Sequence, residues 1–216
     1  STRLNNDGEK PNKEEAEKFD LFDDRKTLLL MSDSVDSENP GFSVTDEAVV
    51  ERIDTIVREA TGRLIISSFA SQIENIGTVI KIAEKYEKKV VIEDKKIKTA
   101  IETLKEINLL KVKEDTFINI DEINNYTDNK LVILAMGSAK EEFASLNKMA
   151  NKVHKFIELT TEDIVVMSVS FLPGNKRDFQ NLQDKLSRCG AHLIHYQNPD
   201  LYSSGSHPNK EDLIWM

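Results

Sequence analysis

Short apolar runs alternate with segments of helical periodicity along most of this 216-residue chain, and this alternation limits what the chain can fold into. Runs such as "RLIISS" (63–68) and "DIVVMSVS" (163–170) are rich in β-branched residues and are too short to be core helices. Strands that alternate with helices form βαβ units, which build a mainly parallel sheet. The sequence therefore predicts a three-layer α/β domain with right-handed crossovers and helices on both faces of the sheet.

The strands are predicted from the apolar runs, and helices are predicted between them. The predicted strands are 27–32, 63–68, 88–94, 130–138, 163–170 and 191–197. The stretch 116–124 is predicted to be extended or irregular. The first long helix is expected to begin with Thr45 as its N-cap and to end at Gly62, and the last long helix is expected to end at Gly190.

Composition and charge argue against several classes of protein. Hydrophobic residues make up 39% of the chain and charged residues 31%, which is enough for a packed core. No apolar run approaches about 20 residues and no signal-peptide pattern is visible, so we expect a cytoplasmic protein without membrane contact. A single cysteine, Cys189, excludes an internal disulfide and a cysteine-based zinc site. The net charge of −9 argues against nucleic-acid binding, which usually requires a basic surface.

Small hydroxyl and amide residues follow the predicted strands. In open α/β sheets ligands bind at the carboxyl ends of the strands, and helix N-termini there suit a phosphate or another anion. The alternative is that these residues are ordinary caps and turn formers. The segments concerned are Ser32–Ser34, Ser68–Gln72, Gly137–Ser138, Ser170–Asn175 and Ser203–His207.

Several motifs of known sites are missing from the sequence. No G-x-G-x-x-G follows a strand and no G-x-x-x-x-G-K-[ST] occurs, which disfavours a Rossmann dehydrogenase and a P-loop NTPase. No H-x-H or H-E-x-x-H occurs either, so the chain offers no convincing catalytic metal site. His207 differs from the other three histidines because it lies in a Ser/Gly loop at the predicted ligand edge, although such a histidine can also be simply solvent-exposed.

Five blocks in one order resemble a known family. The stretch "LLLMSDSVDSENPGFS" (28–43) is similar to the L-L-S-D-S-T-N-A-E-x-P-G-F-T of bacterial ribonuclease J, and "ATGRLIISSFASQIENI" (60–76) is similar to its G-R-I-I-V-A-T-F-A-S-N-I-H-R-I. The blocks "DEINNYTDNKLVILAMGSAKEEFASLNKMAN", "DIVVMSVSFLPGN" and "SSGSHPNKEDL" match later motifs of the family. The resemblance runs from about Phe19 to Met216.

The resemblance implies a division of the chain. Ribonuclease J is a metallo-β-lactamase-type nuclease into which a β-CASP domain is inserted. Residues 1–26 would be a tail and the edge of the lactamase part, 27–202 the β-CASP domain, and 203–216 a motif loop and the start of a truncated helix. We interpret the chain as an excised piece of something longer.

The resemblance also implies cofactors. In the family, two divalent metal ions (zinc or manganese) bind an H-x-H-x-D-H cluster that nothing here matches. The metal ions would therefore be held outside this chain, no cofactor is expected in this segment, and the segment alone is expected to be inactive.

The resemblance assigns site residues as well. Asp33, in the family's motif A, would pair with His207, in motif B, as catalytic residues near the scissile phosphate. A carboxylate favours the protonated imidazole, which can bind a phosphate or protonate the leaving oxygen. The residues that would contact RNA or phosphate are Ser71, Gln72, Gly137, Ser138, Ser204, Gly205 and Ser206.

The chain departs from the family's pattern at several of these motifs. Glu74 and Asn75 stand where the family has His and Arg, and Lys176 stands where it has Glu. G-S-Q-G-E-P has become "GSAKEE" (137–142), and one residue is gained before His207. An acid in place of a base weakens contacts to the RNA backbone.

Three functions therefore stay open. The first is the β-CASP domain of a ribonuclease J-like RNA-processing nuclease, with RNA and the lactamase domain of the same parent chain as partners and a homo- or hetero-oligomeric parent. The second is a degenerate paralogue that acts as a structural or RNA-binding subunit of an RNA-degradation complex. The third is an unrelated α/β domain that binds a small anion.

Overall fold

The computed structural model describes residues 29, 31–34, 37–43, 46–67, 73–93, 95–135, 144–167, 176–195 and 208–215. Contacts between residues divide the chain into two compact units. The terminal unit consists of Ser1–Arg52 and Ser203–Met216, and the central unit is Ile53–Tyr202.

The central unit contains a six-stranded parallel sheet. Its strands are β1 (Leu64–Ser67), β2 (Lys89–Ile92), β3 (Phe117–Ile118), β4 (Leu131–Ala135), β5 (Ile164–Met167) and β6 (His192–His195). Their order in the sheet is β3-β2-β4-β1-β5-β6, and every pair is parallel. The prediction of a mainly parallel α/β sheet is confirmed.

Four of the helices in the described ranges lie between strands, while α1 precedes β1 and α6 follows β6. The helices are α1 (Asp46–Glu59), α2 (Ile73–Lys85), α3 (Lys95–Glu106), α4 (Ala144–Ala150), α5 (Lys176–Arg188) and α6 (Lys210–Trp215). Short 3-10 helices cover Glu114–Thr116, Ile120–Asn125 and Asp128–Lys130, which together with the short β3 confirms an irregular stretch around 116–124. None of the helices in the described ranges is long and apolar enough to cross a membrane.

The chain order of the strands separates the helices onto two faces. From β1 the chain moves through α2 and α3 toward the β3 edge, and from β4 it moves through α4 and α5 toward the β6 edge. Right-handed crossovers that run in opposite directions place their helices on opposite faces of the sheet. In agreement, α2 contacts α3, and α4 contacts α5. The three-layer arrangement follows.

Side chains on the central strands are buried on both sides. Leu64, Ile65 and Ile66 are consecutive and buried, as both faces of a covered parallel sheet require. Ile65 belongs to a cluster with side chains of α4 and α5, among them Leu146 and Phe179. Because side chains alternate along a strand, Leu64 and Ile66 face the α2 and α3 side.

Gly190 and Gly62 are required for different reasons, the first for its backbone conformation and the second for its lack of a side chain. Gly190, after α5, has a φ of +86° and ends that helix as predicted. Helix α1 ends at Glu59, before the predicted Gly62. Gly62 instead permits close approach of two chain segments, because a Cβ at this position would lie 2.2 Å from the backbone oxygen of Glu162.

A buried ion pair joins the starts of β1 and β5. Asp163 accepts bonds from Arg63 Nε at 2.9 Å and Nη2 at 2.7 Å, and its side chain is fully buried. It also accepts from the backbone N–H groups of Arg63 and Thr160. Hydrogen bonding to Asp163 raises the pKa of Arg63, although burial opposes this. The pair therefore fixes the register of two neighbouring strands where they enter the sheet.

The strand predicted for 27–32 is wrong at the positions that the structure describes. Leu29, Met31 and Ser32 lie outside any strand, and Leu29 and Met31 are 73% and 84% exposed. An apolar run becomes a strand only where a neighbouring strand accepts its backbone hydrogen bonds, and this run belongs to the terminal unit, not to the unit that holds the sheet. Asp33 therefore does not follow a strand of the sheet.

Candidate functional site

The connections that follow β1 and β4 cross the sheet in opposite directions, and this switch point marks one candidate site. The two strands are neighbours, and Ser67 pairs with Ala135 at their carboxyl ends. The connections that leave these ends run to opposite faces of the sheet, and such a switch point is where ligands bind in open α/β sheets. Residues 68–72 and 136–143 follow these two ends in the sequence, outside the described residues, and they include four of the predicted phosphate-binding residues: Ser71, Gln72, Gly137 and Ser138.

A buried polar cluster ties the neighbouring strand to α4. Glu93 follows β2, and its backbone N–H donates to the carbonyl oxygen of Leu134 on β4 at 3.2 Å. Its carboxylate accepts a bond from Ser145 Oγ, at the start of α4, and lies 2.6 Å from His154 Nε2. The side chains of His154 and Glu93 are only 8% and 11% exposed. The cluster therefore anchors the start of α4, which follows Gly137 and Ser138 in the sequence.

The hydrogen bonds of His154 assign its tautomer. Its Nδ1 accepts bonds from the backbone N–H groups of Phe156 at 3.3 Å and Ile157 at 3.1 Å. The proton of the neutral ring therefore lies on Nε2, which donates to Glu93. This histidine is fully engaged in holding the chain after α4, so it has a structural role.

The terminal unit carries Asp33 and brings two distant segments together. Asp33 is exposed, and its backbone carbonyl accepts a bond from Ser32 Oγ at 3.3 Å. Further along, the carbonyl oxygens of Asn39 and Gly41 accept bonds from the backbone N–H groups of Lys210 and Glu211. The loop after Asp33 is thus joined to the start of α6.

Asp212 organises this junction. It is 1% exposed, and its Oδ2 accepts bonds from the N–H groups of Ser43 and Asn209, both at 2.8 Å. The amide of Asn209 donates to the carbonyl oxygen of Phe42 at 3.1 Å. One carboxylate therefore caps α6 and also binds a loop 169 positions away in the sequence.

We expect Asp212→Ala to release the loop at Ser43 from α6. The change leaves two half-buried N–H groups without an acceptor, which costs about 1–3 kcal/mol. Hydrogen exchange at the Ser43 amide should speed up by about 5- to 150-fold, since 1.4 kcal/mol corresponds to a factor of ten. The control is Lys210→Ala, whose backbone bond to Asn39 survives the change. Equal exchange in the two variants would contradict the assigned role of Asp212.

Most of the predicted site residues lie outside the part of the chain that the structure describes. Asp33 is described, and its predicted pairing with His207 stays a prediction. The others lie outside the described residues: Ser71, Gln72, Gly137, Ser138, Ser204, Gly205, Ser206 and His207.

The structure adds residues that the sequence reasoning missed. Asp212 follows Asn209 by three positions, and this N-x-x-D pattern before an apolar run is a signal that identifies a helix cap. No sequence signal connects Glu93, Ser145 and His154, because 52 and 61 positions separate the two partners from Glu93.

The described residues do not provide a binding site for the metal ions that the resemblance implies. Among these residues, no group of three or more His, Cys, Asp or Glu side chains could hold a metal ion. We therefore assign no chemical step to a metal ion bound by this part of the chain.

Comparison with known proteins supports the resemblance to ribonuclease J. The sequence profile of the family "Ribonuclease J, beta-CASP domain" matches residues 61–186. The chain is 33% identical to Ribonuclease J of Mycoplasma genitalium over 196 residues, which cover 89% of this chain and 34% of that protein. It is 30% identical to Ribonuclease J2 of Bacillus subtilis over 88% of this chain and 34% of that protein. It is also 30% identical to Ribonuclease J of Thermus thermophilus, over 86% of this chain and 32% of that protein. The chain thus spans about one third of the length of these relatives.

Proposed function

Because the chain belongs to the ribonuclease J β-CASP domain family, we propose that it is the part of a metal-dependent RNA-processing nuclease that holds RNA against a metallo-β-lactamase active site. That active site, with its two divalent metal ions, lies on another part of the protein. RNA is the substrate, the lactamase domain of the same protein is the partner, and the enzyme acts in the cytoplasm as an oligomer.

The junction of the terminal unit is the observation that carries the proposal. Asp33 and His207 are 174 positions apart in the sequence. Six residues after Asp33 the chain is bonded to Lys210, which lies three residues after His207. The same junction includes the bond from Ser43 to Asp212. Because this junction joins the segments that follow Asp33 and His207, it supports a short distance between the two predicted catalytic side chains.

The chemistry follows from the residue types. Asp33 would accept a hydrogen bond from the His207 ring, orient it and favour its charged form. The imidazolium would then bind a phosphate oxygen or donate a proton to the oxygen that leaves when the P–O bond breaks. The hydroxyl and amide groups of the loops at the β1–β4 switch point would bind phosphates along the strand of RNA.

An alternative rests on charge. Glu74 stands where the family has His, and Glu141 and Glu142 add acids to the sequence that follows β4. These residues favour weak RNA contacts, so the second candidate is a paralogue that acts as a structural or RNA-binding subunit of an RNA-degradation complex.

Thiol cross-linking tests the proposed pair. In a Cys189→Ala background, Asp33→Cys with His207→Cys should be joined by a short bifunctional thiol reagent, because the Cβ atoms of a hydrogen-bonded Asp–His pair lie about 5–8 Å apart, beyond the separation of about 3.5–4.5 Å that a direct disulfide requires. The positive control is Asn39→Cys with Lys210→Cys, whose backbones are bonded at 3.0 Å. The same cross-links should not form in denaturant. A control pair that is cross-linked while the 33–207 pair is not would exclude the catalytic pairing.

We expect the 216-residue chain to bind RNA weakly and to leave it uncut. With a net charge of −9, its affinity for single-stranded RNA should be no tighter than about 10⁻⁴ M at physiological salt and should vanish as salt rises. Glu74→His should raise the affinity, while Glu51→His, which changes an exposed acid of α1, should not. Fluorescence anisotropy measures both variants. Tight binding that persists at high salt, or RNA cleavage that depends on added Mn²⁺, would contradict this expectation.

A further inference from the structure

A groove of about 610 Å³ lies between α3 and the edge strand β3, and we call it the β3 groove. Its floor is apolar. Val90 and Ile101 are buried there, while Ile92 and Phe117 are only half-buried and keep part of their surface in contact with water. The apolar floor thus remains partly uncovered in the described chain.

Carboxylates dominate the rim of the β3 groove. Glu102 and Glu106 lie one turn apart on α3, and Glu114 and Asp121 lie just before and just after β3. All four residues are exposed. The groove therefore has acids along both walls.

The two cations of the groove do not balance these acids. Lys105 is already committed, since its Nζ lies 3.0 Å from Glu114 Oε1 and 4.1 Å from the centre of the Phe117 ring. Lys98 is the second lysine that lines the groove. An excess of negative charge thus surrounds the half-buried apolar floor.

We propose that the β3 groove binds a basic amphipathic helix of a partner protein. Apolar side chains of such a helix would cover the floor, and its Lys or Arg residues, one turn apart, would face Glu102 and Glu106. The wall of α3 from Lys98 to Glu106 is about 12 Å long, at 1.5 Å per residue, which matches two turns of a docked helix. RNA does not fit this chemistry, because carboxylates repel phosphates.

Exposed apolar residues beyond α3 agree with an interaction surface. Ile107 and Leu109 follow the helix directly and are 57% and 65% exposed. Clustered exposed apolar residues next to a groove mark contact surfaces more often than isolated ones do. The site is independent of the RNA-binding loops of the proposed function, because those loops follow β1 and β4 while this groove lies at the β3 edge.

The test uses the 216-residue chain and a fluorescent synthetic peptide of leucine and lysine, with leucines at positions i, i+3, i+4 and i+7. The variant Glu102→Lys with Glu106→Lys should weaken binding by at least about tenfold. The matched control is Glu47→Lys with Glu51→Lys, which reverses two exposed acids one turn apart on α1 and gives the same net charge. This control should change the affinity by no more than about twofold.

Changes in the peptide separate the two components of recognition. A version with glutamates in place of the lysines should not bind, and a version with alanines in place of the leucines should bind at least about tenfold more weakly. Equal losses in the two glutamate-pair variants would mean non-specific charge attraction and would overturn the proposal, as would failure of the leucine–lysine peptide to bind. A chain that sediments as a dimer until Glu102 and Glu106 are reversed would assign the groove to a second copy and equally overturn it.

Discussion

Replacing Asp163 by asparagine is expected to lower the free energy of unfolding by about 3–5 kcal/mol, because it leaves the Arg63 guanidinium buried without its counter-charge. The side chain of Arg63 is 9% exposed and that of Asp163 is fully buried, so water cannot replace the lost carboxylate. Asparagine keeps the shape but retains one oxygen acceptor, whereas Asp163 uses both of its oxygens. Urea unfolding followed by circular dichroism measures the change.

Two variants accompany this prediction. Asp115→Asn removes a pair with Lys89 in which Asp115 is 75% exposed, and it should cost no more than about 1 kcal/mol. Adding Arg63→Met to Asp163→Asn removes the uncompensated charge and should restore at least about 1 kcal/mol. The explanation fails if Asp163→Asn costs no more than Asp115→Asn does.

In the full-length protein that contains the lactamase part, Asp33→Asn is expected to slow RNA cleavage by about 10²-fold, since general acid–base groups contribute about 10²–10⁴-fold. The amide lacks the charge that favours the imidazolium of His207. His207→Ala should slow cleavage comparably. The double variant should be little slower than either single variant, as expected for residues that act as a unit. Single-turnover cleavage of a labelled RNA measures all three rates.

The control for these variants removes a charge from the same loop. Glu38 is exposed in the loop after Asp33, and Glu38→Gln should leave the cleavage rate unchanged. Multiplicative losses in the double variant would show that Asp33 and His207 act separately. Wild-type cleavage rates in both single variants would exclude a catalytic role for the pair, whereas absence of cleavage by the unmodified full-length protein would favour the non-catalytic paralogue.

Much of the fold was predictable because its strands are short, apolar and buried on both faces. The composition of the runs at Leu64–Ser67 and Leu131–Ala135 is enough to predict buried strands, whereas their order in the sheet was not predicted. The apolar run before Asp33 carries the same local signal, yet its described residues are exposed and form no strand. Local composition reports hydrophobicity, but a strand also depends on which neighbour provides its hydrogen bonds.

The site was less predictable because its contacts join distant positions. The cap at Asp212 has a local pattern with Asn209, but its bond to Ser43 spans 169 positions and has no sequence signature. The cluster around Glu93 is equally non-local. What the sequence does show is the chemistry of the loop residues at the β1–β4 switch point, because position after a strand is a local property.

The junction between residues 39–43 and 209–212 has a consequence for the order of folding. Most contacts of the sheet form between a strand and others within a few βαβ units, whereas this junction closes a loop of almost the whole chain. The entropy of closure grows only slowly with loop length, so a few hydrogen bonds and one buried carboxylate suffice to hold it. Contacts of such long sequence separation are expected to form last during folding, after the sheet exists. The segments 39–43 and 209–212 would then meet as the final step, after the sheet of the central unit has formed.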